Sequence, residues 1–403
     1  MRPRFSPVAL ALAGIGAACA GAGLAAVWHP PTTARAAELP LTVRSVLPAW
    51  RAPGVQIPVV GFAGAAERVV LRVNGRRADA AVSGPRGGFR LGFETGRPGR
   101  YRLVVAAGDR VTHVGDLTVR PLVLAAVGDV TFGEQVGPAI ETHGAAYPWV
   151  GVAHALRRAD LTIGNLETAV SERGVAAAKE FTFRGAPAAL APMRARAGFD
   201  ALTLANNHSG DYGRDALLDT IAAVRAAGIR SVGAGADSAQ ARRPAVLVEG
   251  GLRVALLGYS DVNPLGFPAT ATSAGTAKAD AVAIATDVRA ARRRADVVVC
   301  FFHWGTELRP EPDARQRELA TAALRAGAAV VLGAHPHVLG PVTRPSRRTL
   351  VAWTLGNFVF PSAGATARTA ILRVELGRAG VYGYRLQPVA IDGFRPRLVA
   401  ARS

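Results

Sequence analysis

From residue 122 onward the chain repeatedly builds an unbroken apolar run that stops on a polar, ligand-capable residue. Leu122–Val127 ends in Gly128-Asp129, and Leu161–Ile163 leads into Gly164-Asn165-Leu166-Glu167. Ala201–Ala205 leads into Asn206-Asn207-His208, and Val297–Phe302 into His303-Trp304-Gly305. Ala328–Leu332 leads into Gly333-Ala334-His335-Pro336-His337. Val254–Gly258 and Leu350–Leu355 are runs of the same kind, the second followed by Gly356-Asn357-Phe358. Continuous apolar runs describe strands buried on both faces, which requires helices to cover the sheet. Helix-like stretches at Trp149–Ala159, Arg214–Ala227, Thr286–Arg294 and Asp313–Ala326 supply that cover. The pattern predicts an α/β domain over residues 121–403.

Residues 40–120 read differently. Val55–Phe62, Arg68–Val73, Gly88–Phe93, Tyr101–Ala106 and Val111–Val119 are short strand-like segments. They are separated by the turn signals Asn74-Gly75, Gly84-Pro85, Pro98-Gly99 and Gly108-Asp109. This spacing predicts a small all-β, Ig-like sandwich, with Pro121 at its boundary.

Residues 1–37 have the form of a targeting segment. Arg2 and Arg4 precede a charge-free apolar stretch from Phe5 to Trp28, followed by Pro30, Pro31 and the small-x-small sequence Ala34-Arg35-Ala36. The stretch suits either a cleaved signal peptide or a retained membrane anchor, being long enough to span a bilayer at about 20 residues. Both place the body of the chain outside the cytoplasm, because the arginines stay inside. Two cysteines, Cys19 and Cys300, imply no disulfide framework.

The formal net charge is +19. Only Lys179 and Lys278 are lysine among 48 basic residues, which leaves 46 arginines. This balance suits either a solvated Arg-rich surface or attraction to a polyanion such as a cell-wall polymer or acidic product. No aromatic-interleaved basic patch or nucleic-acid motif is present, so nucleic acid is not an expected partner.

The chemistry is concentrated where the apolar runs end. Asp129, Glu167, Asn207, His208, His303, His335 and His337 all lie just past the carboxyl ends of expected strands, where open α/β sheets bind ligands. Singly, each has a bland alternative, such as a turn-stabilising Asp or a hydrogen-bonded core His. Jointly, five strand ends carrying such residues are hard to attribute to packing. In His335-Pro336-His337, an extended backbone would turn both imidazoles to the same side, and Pro336 favours extension at His335. The set offers imidazole nitrogens, carboxylate oxygens and an amide oxygen, a mix suited to one or two divalent ions of Mn, Fe or Zn and too nitrogen-rich for a Ca or Mg cage.

Six ordered blocks carry a resemblance: Gly128-Asp129-Val130-Thr131-Phe132-Gly133, Asn165-Leu166-Glu167, Asn206 through Gly213, His303 through Glu307, His335-Pro336-His337 and Leu355 through Phe358. Over about residues 122–362 the chain resembles the CapA family, named for bacterial poly-γ-glutamate capsule synthesis. That family is in turn similar to calcineurin-like metallophosphoesterases, so the resemblance implies a two-sheet core flanked by helices. It also implies roles. Asp129 and His337 would hold a first metal, Asn207, His303 and His335 a second, and Glu167 would stand at the bridging position. His208 would act as acid or transition-state stabiliser, Asp211 and Glu307 would support it or face the substrate, and Asn357 would close the site from below. One departure is plain: metallophosphoesterases begin with Asp-x-His, whereas here Asp129 is followed two places on by Thr131.

Two functional readings follow from the resemblance. One is an exported metal-dependent hydrolase or transferase acting on a phosphate ester or related bond of a cell-surface polymer. The other is a non-catalytic, metal-containing component that binds and helps export an anionic polymer, together with membrane-bound polymer-synthesis subunits.

Overall fold

The computed structural model describes residues 40–264 and 267–399; the expected targeting segment at 1–37, with Cys19, lies outside the described residues. From Leu41 onward the described residues form one compact unit. Its centre is two facing sheets. The first runs, edge to edge, Arg230–Val232, Ala201–Thr203, Leu161–Leu166, Leu122–Val130, Arg368–Gly377, Gly380–Asp392 and Arg395–Leu398, with Asn357–Val359 also pairing to Leu122–Val130. The second runs Ala245–Glu249, Leu252–Ser260, Val297–His303, Val330–Ala334, Thr349–Ala352 and Val342–Ser346. In each, the strands that carry the expected site residues pair in parallel, so their carboxyl ends emerge on one side.

The space between the sheets is filled by alternate residues of both, including Leu124, Ala126, Ile163, Leu256, Val299, Phe301, Leu332 and Leu372, all nearly without solvent exposure. The opposite faces pack against helices. Gly213–Ala226 covers the first sheet through Leu217 and Val224. Ala281–Arg292 and Ala314–Ala326 cover the second through Ile284, Val288, Leu319 and Ala323. Burial on both faces is why these strands read as unbroken apolar runs.

The helix starts follow their caps. Asp313 accepts from Gln316 N and Gln316 returns the bond to the Asp313 backbone, a complete capping box. Asp280 caps the preceding helix through Ala283 N at 2.9 Å, so that helix begins five residues before the expected Thr286. The helix expected over Trp149–Ala159 is split into a 3-10 turn at Tyr147–Trp149 and a short helix at Ala153–Arg157. Gly151 lies between them, against the backbone of Pro396 and Arg397.

Before residue 121 the chain forms a three-stranded sheet (Thr42–Val43, Ile57–Phe62, Gly88–Phe93) and a five-stranded one (Trp50–Arg51, Arg110–Val119, Gly99–Ala107, Arg68–Val73, Arg76–Val82). Val59, Leu71, Leu91, Leu103, Val105 and Leu117 make a core of their own. Arg120 fastens this region to the α/β part. Its guanidinium makes two 2.7 Å bonds to Asp160 and lies 3.7 Å above the Trp50 ring.

Candidate metal centre

Two glycines let the strands approach closely enough to build the site. A Cβ on Gly128 would fall 1.7 Å from Gly356 O, and one on Gly333 would fall 2.0 Å from Trp353 O. The first contact seats Asp129 beside Asn357, where Asp129 N donates to Gly356 O at 2.9 Å. The second seats the strand that delivers His335.

Past these strand ends the expected residues converge. Asp129, Glu167 and His303 offer ligand atoms all within 4.8 Å of one another, and so do Glu167, His335 and His337. Glu167 belongs to both groups, which is the position of a shared carboxylate. His303 Nε2 lies 3.3 Å from Glu167 Oε1 and 2.7 Å from Asn207 Oδ1, so Asn207 joins the first group. His337 Nδ1 lies 3.6 Å from Asp129 Oδ2 and 2.7 Å from Asn357 Oδ1. Asn357 therefore holds the His337 ring.

The electrostatics suit a cation at the centre of this cluster. Glu167 has no solvent exposure, and neither carboxylate oxygen has a hydrogen-bond partner; His335 Nδ1 is buried and unpartnered as well. A buried carboxylate without donors is strongly unfavourable unless a cation is bound there. Burial and the neighbouring Glu167 push the Asp129 carboxyl up to about 6. Burial drives the His303 imidazole down to about 3, and burial with the nearby His303 does the same to His335. Both are thus neutral bases, the form that ligates metal. For His337 burial works downward, but Glu167 and Asp129 outweigh it and raise the imidazole above its ordinary value. The donor set of three imidazoles, two carboxylates and an amide fits a divalent transition metal.

The backbone delivers His335 and His337 by a route other than strand alternation. Their φ angles are +95° and +60°, so the segment is a strained turn and the expected extended geometry is corrected. Left-handed backbone at non-glycine residues concentrates at functional sites, where surrounding contacts over-determine it. His335 N donates to Asp129 Oδ2 at 3.2 Å, which is one such contact.

His208 lines the rim. Its Nδ1 meets Asp211 Oδ2 at 2.8 Å, leaving Nε2 toward the cluster, 4.0 Å from Glu167 Oε1. Phe183 stacks on the ring at 4.0 Å. Glu307 is brought to the vicinity of His337 but is solvent-exposed. Thr131 is buried with its hydroxyl accepting from Gly133 N at 3.1 Å, a turn-stabilising role.

The sequence matches the family model described as bacterial capsule synthesis protein PGA_cap over residues 123–362. The chain belongs to this capsule synthesis family. The PGA biosynthesis protein CapA of Bacillus subtilis is 31% identical over 67% of this chain and 72% of its own length. The capsule biosynthesis protein CapA of Bacillus anthracis is 30% identical over 70% of each. Among solved structures, a phosphatase from Mycoplasma pneumoniae aligns with 67% of this chain and 94% of its own at 12% identity and a TM-score of 0.44, too loose a superposition to speak for shared chemistry.

The family blocks contain further working residues that went without a role in the sequence reading. Asn165 donates to Asp129 Oδ1 at 2.8 Å and lies 3.2 Å from His303 Nδ1. Asn206 in turn donates to Asn165 Oδ1 at 3.0 Å and Leu166 O at 2.8 Å, so the two amides brace the strands that carry the ligands. Lys179, outside every block, reaches Asp211, Asn207 O and the edge of His208. Its only sequence signal was its rarity as one of two lysines.

Proposed function

We propose that this member of the capsule synthesis family is an exported, metal-dependent hydrolase or transferase acting on a phosphate ester or related bond in the metabolism of an anionic cell-surface polymer. The observation that carries the reading is Glu167: a fully buried carboxylate with two unpartnered oxygens, ringed by Asp129, His303, His335 and His337. Asp129, Asn207 and His303 on one side, and His335 and His337 on the other, would hold one or two divalent ions of Mn, Fe or Zn, with Glu167 common to both, a division that differs from the one the family resemblance implies. Such an ion supplies Lewis acidity toward a phosphoryl or acyl oxygen. His208, held through Nδ1 by Asp211, presents Nε2 to the cluster from the rim, the geometry needed to move a proton at a leaving oxygen. Export rests on the charge and apolar pattern of residues 1–37.

Metal analysis of the purified full-length protein, followed by turnover of a phosphodiester model substrate by wild type and His337→Ala, tests the proposal. Bound metal with no turnover under Mn, Fe, Co or Zn sinks the enzyme reading and leaves the polymer-binding, export-assisting role. Thr131 favours that second role, since it replaces a ligand imidazole with a hydroxyl tied into a turn. Membrane-bound polymer-synthesis subunits are the partners that the polymer-binding, export-assisting role would engage. Fractionation that leaves the full-length chain soluble in the cytoplasm refutes export.

A further inference from the structure

The second sheet ends in a tight hairpin between Val342–Ser346 and Thr349–Ala352, in which Ser346 faces Thr349 and Arg347-Arg348 alone make the turn. Two-residue hairpin loops favour Asn-Gly or other glycine-bearing pairs, because the turns that match strand twist need positive φ. Neither arginine has positive φ, and the pairing register slips between Thr343 and Ser346. The local rule for a well-formed hairpin is thus broken to place two adjacent guanidinium groups at its tip, with Arg344 three residues before. Breaks of this kind gather at functional positions.

The charges are uncompensated. Among the described residues, Arg344, Arg347 and Arg348 make no ion pair; the nearby Arg378 has Asp296 as its partner at 3.2 Å. Arg344 donates to the Arg347 carbonyl, and Arg348 lies 4.7 Å from the centre of the Tyr382 ring. The three arginines, Ser346, Val381 and Tyr382 line an open cleft of about 610 Å³. Protection of a sheet edge against aggregation accounts for Arg344, which sits on the edge strand. It does not account for Arg347 and Arg348, which lie beyond the last paired residues. Three like charges within five residues repel one another and lower stability unless an anion joins them. Guanidinium forks match carboxylates in bidentate fashion, and arginine is weakly hydrated enough to exchange water for them.

We propose that this arginine hairpin is an exosite that grips a carboxylate-rich polymer away from the metal cluster. Thr349 opens the strand whose carboxyl end leads to Asn357 beside His337, so the cleft lies at the opposite end of the sheet from the ligands. A polymer held there is tethered while a distant segment of the same chain reaches the cluster, which raises its effective concentration at the site. A lipid surface is the poorer occupant, since no large hydrophobic of the hairpin is exposed to enter a bilayer. The inference rests on the reading that this protein handles an anionic polymer.

The test uses the full-length metal-loaded protein and labelled poly-γ-glutamate. Arg344→Gln/Arg347→Gln/Arg348→Gln is compared with a charge-matched control on the exposed end of the 281–292 helix and beyond, Arg289→Gln/Arg293→Gln/Arg294→Gln. The hairpin variant is expected to bind the polymer about tenfold or more weakly at low salt, with a flatter salt dependence, while the control changes by at most about threefold. Hydrolysis of a small phosphodiester stays at the wild-type rate in both. Equal polymer binding by wild type and hairpin variant overturns the exosite and leaves the metal-site reading intact. Polymer binding lost in the hairpin variant, with no phosphodiester turnover by wild type, supports the exosite and sinks the hydrolase reading. Wild type that binds anionic phosphatidylglycerol vesicles through these arginines, but not the polymer, overturns the occupant proposed here.

Discussion

The Lys179 ammonium sits 2.5 Å from Oδ1 of Asp211, a carboxylate with no solvent exposure. The other oxygen of Asp211 accepts from Phe183 N at 2.6 Å and meets His208 Nδ1 at 2.8 Å. Lys179 also donates to the Asn207 carbonyl at 3.0 Å. One ion pair therefore ties the segment around 179–183 to the loop carrying both Asn207 and His208. An ammonium offers three donors from a compact point, which suits acceptors on several sides better than the planar fork used almost everywhere else in this chain.

Removing that lysine leaves a buried carboxylate without its countercharge. Lys179→Met is expected to lose roughly 3 kcal/mol of stability, the low end of the range for breaking a buried pair because Asp211 keeps two other partners. Lys179→Arg retains most of the stability but loses turnover, because the longer fork displaces the loop bearing His208. Denaturant titration and phosphodiester hydrolysis read the two effects separately. Equal activity in wild type and Lys179→Arg would show that charge alone is required.

Glu167 trades stability for ligation. Without a cation its buried, unpartnered oxygens oppose folding. Glu167→Gln is therefore expected to stabilise the metal-free protein by roughly 1–3 kcal/mol while abolishing metal retention. Wild type, by contrast, gains about 2.7 kcal/mol at a metal concentration of 100 times its dissociation constant. Thermal unfolding with chelator and with added Mn or Zn checks both signs. A Gln variant that is less stable than wild type in chelator would mean that Glu167 is satisfied within the protein.

The order of buried strands was legible because burial on both faces erases alternation, and the site was legible because its residues stand at the ends of those runs. Asp129, Glu167, Asn207, His303, His335 and His337 converge as their positions implied. Other features left weaker traces. The strand Arg76–Val82 is too polar and too exposed to show an apolar run. The antiparallel strands Arg368–Gly377, Gly380–Asp392 and Arg395–Leu398 lie beyond the last motif, and the second of these mixes exposed and half-buried residues. The positive φ of His335 and His337 is imposed by long-range contacts such as that of His335 N with Asp129, which a local reading of Pro336 does not contain. Lys179 reaches Asp211 across 32 positions, and composition alone flagged it.

Acid should release the metal in a defined window. The Asp129 carboxyl, raised from 3.8 to about 6, favours folding of its protonated form; that contribution is complete below about pH 3.8 and is lost as pH rises through about 6. Metal binding requires the carboxylate, so below about pH 6 each ion bound must displace a proton from Asp129. His337, which Glu167 and Asp129 raise above its ordinary value against the effect of burial, adds a second proton to displace. His303 and His335, lowered from 6.5 to about 3, work in the opposite sense: their neutral burial favours folding above about pH 6.5 and that contribution is lost as pH falls toward 3. They stay neutral across the window in question and do not compete for protons. Metal affinity is thus expected to fall with acid, by at least about tenfold per unit below pH 6. Chelator competition between pH 4 and 8 measures this, and an affinity that stays level down to pH 4 would remove Asp129 from the ligand set.

The strained turn offers a way to separate backbone from ligand at His337. Its φ of +60° lies in the left-handed region, which costs most L-residues roughly 1 kcal/mol and Asn less. The imidazole also receives support from Asn357 at 2.7 Å and packs against Phe360 at 5.0 Å between ring centres. His337→Asn preserves the backbone preference and removes the imidazole, whereas His337→Ala removes the ring and adds backbone strain. Both variants are expected to lose metal and turnover to the same extent. His337→Ala should be the less stable by about 1 kcal/mol in chelator, where ligation no longer contributes. Equal stabilities would show that the turn is held by long-range contacts such as that of His335 N with Asp129. Retention of metal by His337→Asn at wild-type affinity would place the imidazole outside the site, leaving Glu167 and His335 to furnish that side of the cluster.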